Sequence, residues 1–224
     1  MTTALLLLSA IMAIIVGWLL RQTLGVAPWV ARRAPDGIRG DEAWAQPPVK
    51  VGLGVFLAVA TSLFALLISA YHMRMVGDDW ISLPVPWVLW PNTGLLILAS
   101  IAMQRTKNAA QRGDGDGVRD GLIAAGVFSF AFLGGQLWAW REMHAAGYFA
   151  AANPAFAFFY LLTALHGVHV VGGLWVWGRT ALRVRRGADT NAVRLSVELC
   201  TVYWHFLLVV WVALFAVLVL AHKQ

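Results

Sequence analysis

Charge is what this sequence has least of. Asp, Glu, Lys and Arg make up 12% of the 224 residues, against 60% hydrophobic residues and a mean hydropathy of +0.70. That balance leaves too little polar surface to cover a soluble domain of this size. Cysteine is almost missing as well, and the lone Cys200 excludes both a disulfide framework and a thiolate metal cluster. A single thiol inside an apolar segment reads as a packing residue. No Lys or Arg precedes the first apolar run, residues 4–20, whereas Arg21, Arg32 and Arg33 follow it. This is the reverse of a secretory signal, so a retained anchor with an external N-terminus is expected. Internal repeats and matched broken helices, which mark many transporters, are absent from the sequence.

What remains is long apolar runs. A helix needs about 20 mainly apolar residues to cross a hydrocarbon core of about 30 Å. Six segments meet or approach this: 4–20, 51–73, 91–103, 122–140, 155–177 and 197–220. The third is short, although Trp87 and Trp90 stand before it at a place suited to the membrane interface. Of the seventeen Lys and Arg residues, fourteen follow the first, third and fifth segments, and only Arg74, Arg141 and Lys223 fall on the other side. The positive-inside rule then places the odd-numbered loops in the cytoplasm and both termini outside. The net charge of +6 therefore reports topology, and no nucleic-acid partner is expected.

The reading is an all-α, polytopic membrane helix bundle of six transmembrane helices. Residues 1–49 form an N-terminal helix and a cytoplasmic linker, with Pro28, Pro35, Pro47 and Pro48 in the linker, and residues 50–224 form a five-helix core. The second basic loop, QRGDGDGVRD, lacks the terminal acidic ligand of an EF-hand and reads as a turn.

Ionisable side chains within membrane spans are costly and so are functional candidates. The set here is His166, His169, Glu198 and His205. His166 and His169 are three apart and share a helix face; Glu198 and His205 are seven apart and lie on one stripe. At about 1.5 Å per residue, His169 and His205 come to similar depths of roughly 15 Å from their basic helix ends, which would let them face each other. Glu198 lies only about 6 Å in, beside Arg194. Three roles stay open, in descending order of preference: interhelical hydrogen bonding, a proton-relay or lipid-headgroup role, and metal or haem ligation. The last is disfavoured because two histidines on one helix neither complete a closed metal site nor grip a haem from both faces.

These residues also carry a resemblance. FFYLLTALHGVHVVGG (158–173), with Thr163, His166, Gly167 and His169, resembles the signature of subunit III of haem-copper oxidases. ELCTVYWHFLLVVW (198–211), with Glu198, Tyr203, Trp204, His205, Phe206 and Trp211, is similar to a second motif of that family. WPNTGLLI (90–97), with Asn92 and Thr93, the KVGLGVFLA stretch followed by SAY, and Gln136 add support. Three positions depart from the family pattern, because Ala60, Ala139 and Leu208 stand where carboxylates are common. A proton path touching this chain is correspondingly in doubt.

The resemblance implies a non-catalytic subunit III of a cytochrome c oxidase-type respiratory complex in a bacterial-type plasma membrane. Catalytic residues, metal and redox cofactors are expected to be absent from this chain, with haem and copper on partner subunits I and II and with phospholipid bound. An accessory subunit of a nitric-oxide reductase is the nearest alternative, and a small transporter or channel or an assembly scaffold are alternatives of other classes. The electron donor and the lipid are not readable from these residues.

Overall fold

A computed structural model describes residues 48–81 and 84–221, and the expected helix over 4–20 lies outside them. Five helices follow in order: α1 (Pro48–Arg74), α2 (Leu89–Arg112), α3 (Gly115–Ala145), α4 (Pro154–Arg185) and α5 (Thr190–Ala221). The chain divides into two compact units, residues 1–63 and 64–224. The described part of the first is the opening of α1, where Thr61 and Ser62 return their hydroxyls to the Leu57 and Ala58 carbonyls.

Within the second unit, α2, α3, α4 and α5 pack as a ring, each against the next, with α2 lying most extensively along α3. Close approach depends on glycine. A Cβ on Gly121 would overlap Thr106, one on Gly135 would overlap Asn92, and one on Gly126 would enter the Trp177 indole. Small residues give this kind of contact to membrane helices, which gain little from the hydrophobic effect among lipid tails. Indole N–H groups then pin the ring. Trp204 donates to Ser129 Oγ at 2.9 Å, Trp177 to the Leu122 carbonyl at 3.0 Å, and Trp140 to Thr163 Oγ1 at 3.0 Å.

Four helices, α1, α3, α4 and α5, are long and apolar enough to cross a membrane. α2 is not among these four. Its 24 residues would reach about 36 Å, which is sufficient, but the stretch from Gln104 to Arg112 is mostly polar. The short apolar run over 91–103 is therefore only the first part of a longer helix. Its core side chains Leu89, Leu96, Ala99 and Met103 are fully covered.

The other helices also outrun their apolar segments. α3 begins at Gly115, before the apolar run, while α4 continues to Arg185 and α5 begins at Thr190. Hydropathy measures the thickness of the oil and not the length of the helix, and the caps set the true ends. Asp114 caps α3 by accepting from the Gly117 amide at 2.9 Å. Gly113, at φ 74°, closes α2 in the left-handed region that glycine tolerates. These extensions gather at the basic ends, where they form a rim of solvated helix turns.

Candidate functional site

The ionisable and motif residues occupy the ring and its faces. His166 is fully buried, with its ring 5.7 Å from Phe132, 5.2 Å from Trp211 and 6.4 Å from Phe64. Among the described residues, neither of its ring nitrogens has a hydrogen-bond partner. His169, half-buried one turn on, shares Phe64 with it at 5.2 Å and bonds through Nδ1 to the Leu165 carbonyl at 2.8 Å. The two histidines thus do share a face.

His205 turns elsewhere. Its Nε2 pairs with Gln104 Oε1 at 3.0 Å and its Nδ1 with Ser100 Oγ, both on α2. Tyr203, two residues before it, points the other way and donates its hydroxyl to the His169 carbonyl at 2.9 Å. Two residues are about 200° apart around a helix, so α5 addresses α4 with Tyr203 and α2 with His205. The matched depths of His169 and His205 therefore do not make them partners: His205 faces α2. Glu198 is half-buried near the start of α5, two turns from His205 on the same stripe.

The remaining motif residues meet across helices. Asn92 Nδ2 donates to Gln136 Oε1 at 2.9 Å, joining α2 to α3. Trp211 donates from Nε1 to Thr93 Oγ1 at 2.9 Å, joining α5 to α2. Thr163 accepts from Trp140 and donates to the Phe159 carbonyl at 2.7 Å. Phe206 stacks on Tyr203 at 6.4 Å, while Gly167 faces open space. Ala60 and Ala139 are buried and Leu208 half-buried. Among the described residues, no three His, Cys, Asp or Glu side chains converge on a point that would suit a metal ion.

Sequence reasoning passed over Ser100, Gln104 and the arginines of α4. Arg179 and Arg183, one turn apart, line an open cleft of about 350 Å³ with Trp175, Val176, Thr180 and Ser196. The i, i+4 spacing of those arginines beside a tryptophan was the available signal. The four-residue spacing of Ser100, Gln104 and Asn108 was another.

The sequence profile of the cytochrome c oxidase subunit III family matches residues 29–221. The chain belongs to that family. It is 31% identical over 175 residues to the probable cytochrome c oxidase subunit 3 of Mycobacterium tuberculosis, covering 76% of this chain and 86% of that one. It is also 31% identical over 187 residues to cytochrome c oxidase subunit 3 of Thermostichus vulcanus, covering 80% and 90% respectively. The probable subunit 3 of Nocardia farcinica is 28% identical over 173 residues. Family membership and the four long apolar helices make this a multi-pass membrane protein.

Proposed function

We propose that the chain is the non-catalytic third subunit of a respiratory haem-copper oxidase, buttressing the catalytic subunit and holding phospholipid at its surface. The observation that carries the reading is the cross-helix assembly of both family motifs. Tyr203, Trp204 and Trp211 of one motif and Thr163 of the other join α2, α3, α4 and α5 to one another, and the supporting Asn92–Gln136 pair adds a further link. Such side chains make a rigid body that a partner can lean on, and they leave electron transfer to that partner.

The α4 cleft supports the lipid part of the proposal. Arg179 and Arg183 offer planar donors to a phosphate, Trp175 is a residue type suited to the membrane interface, and the apolar wall of Trp175 and Val176 suits an acyl chain. The charge pattern supports six spans with both termini outside, so that this cleft opens to the cytoplasmic leaflet.

Affinity purification of the tagged chain in mild detergent from its native membrane tests the reading. Haem-copper subunits are expected to accompany it, and the haem type will identify the complex. A chain that comes out alone, or that carries a stoichiometric Soret band by itself, overturns it. Mass spectrometry of the same preparation should show retained phospholipid that Arg179→Ala with Arg183→Ala releases.

A further inference from the structure

Asn92 of α2 and Gln136 of α3 meet inside the bundle, 1% and 3% exposed. Apolar side chains close the layer on both sides of them. Leu89 and Leu96 stand one turn to either side of Asn92, and Phe132 and Ala139 one turn to either side of Gln136, all fully covered. Into this layer the two amides bring four polar groups and make one bond, from Asn92 Nδ2 to Gln136 Oε1 at 2.9 Å. Among the described residues, Asn92 Oδ1 and Gln136 Nε2 have no partner.

What these two atoms can take is narrow. The oxygen only accepts and the nitrogen only donates. A cation would suit the oxygen and be repelled by the N–H groups, while an anion would suit the N–H groups and be repelled by the oxygen. A ligand that donates on one side and accepts on the other satisfies both, and water is the smallest. Turning both amides over changes nothing, because the bond then runs from Gln136 Nε2 to Asn92 Oδ1 and again leaves one donor and one acceptor. Turning one alone sets like against like. Gly135 fixes the place of the oxygen: a Cβ there would fall 2.3 Å from Asn92 Oδ1, so the amide lies against bare α3 backbone.

We propose that one ordered water is bound at the Asn92–Gln136 joint, accepting from Gln136 Nε2 and donating to Asn92 Oδ1, so that two links and not one tie α2 to α3 here. Leaving both atoms unbonded in an apolar layer costs more than ordering a single water. The pair also supplies the two polar partners that a buried water needs. Leu89, Leu96, Phe132 and Ala139 seal the layer, so the site is a discrete one and not a link in a file of waters. The nearest charged residue along α3 is Arg141, about 7.5 Å beyond Gln136, which makes that end the shorter way to solvent.

A density map of the full chain as it purifies from its membrane, at a resolution that shows ordered water, tests this. A peak is expected within about 2.7–3.2 Å of both Asn92 Oδ1 and Gln136 Nε2. Amides turned to bond each other twice with no peak beside them, or a peak that touches only one of the two atoms, overturns the proposal. Solid-state NMR of the unaltered chain in vesicles of deuterated lipid gives a second reading. Magnetisation that starts on water should reach the Gln136 side-chain amide, identified by its loss in Gln136→Leu, at least severalfold sooner than the Trp204 indole N–H, which is as deeply buried but bonded to Ser129. Arrival at Gln136 no sooner than at Trp204 overturns the site. Both measurements stand whether or not an oxidase partner accompanies the chain.

Discussion

His166 shows how a membrane histidine can be glue without being a hydrogen bonder. Its imidazole fills a slot between Phe132, Trp211 and Phe64 as a flat ring. Replacing it with Phe keeps the ring and removes two buried polar atoms, so His166→Phe should cost less than about 1.5 kcal/mol, whereas His166→Ala opens a cavity and should cost about 2–4 kcal/mol. Detergent-unfolding curves followed by circular dichroism will decide; a Phe variant as damaged as the Ala variant would mean the nitrogens have work to do. Asp79 is a surface case. Arg74 donates to its carboxylate and holds it below the usual range, so the pair adds stability above the ordinary carboxylate pKa and loses it as the pH falls through the depressed value. Acid melting below about pH 4 should therefore be less steep in Asp79→Asn, an effect that added salt weakens. The histidines were legible in the sequence as candidates because ionisable groups are rare there. Their partners were not, since two residues of difference, Tyr203 against His205, select different neighbouring helices.

At the scale of helices, the ring is closed by single atoms. Asn92 and Gln136 form one hydrogen bond between α2 and α3, and among the described residues Asn92 Oδ1 and Gln136 Nε2 have no partner. Removing one amide strands the other in an apolar interior, so Asn92→Leu or Gln136→Leu alone should cost about 1–3 kcal/mol, and the double variant should recover part of that loss. A strictly additive double variant would remove the bond from the account. Gly126 is the second joint. Any side chain there displaces the Trp177 indole from the Leu122 carbonyl, so Gly126→Val should destabilise by about 1–3 kcal/mol and alter tryptophan emission. Helix existence was readable from apolar runs for α1, α3, α4 and α5. Their true lengths were not, because the turns beyond the oil are held by caps such as Asp114 and by Gly113, which hydropathy does not record.

Among the described residues, polar groups are distributed by depth. The interior carries helix-to-helix bonds, the basic rim carries Arg179, Arg183 and Asn108, and the faces carry apolar side chains such as Val127, Phe130, Val168 and Trp175. Family membership was legible from two motifs on α4 and α5, and both proved to be joints in the ring. The cleft was not, because it takes Ser196 of α5 as well as α4 to form it. Asn153 carries this point into time. Its side-chain oxygen accepts from the Ala155 amide at 2.9 Å, a bond available as soon as α4 begins to coil. Its amide nitrogen donates to the Asp79 carbonyl at 2.7 Å, across 74 residues of chain. That second bond can form only once α2 and α3, which lie between its partners in the chain, have brought residues 79 and 153 together. The same residue that starts a helix early in insertion thus serves as the latch that records its completion.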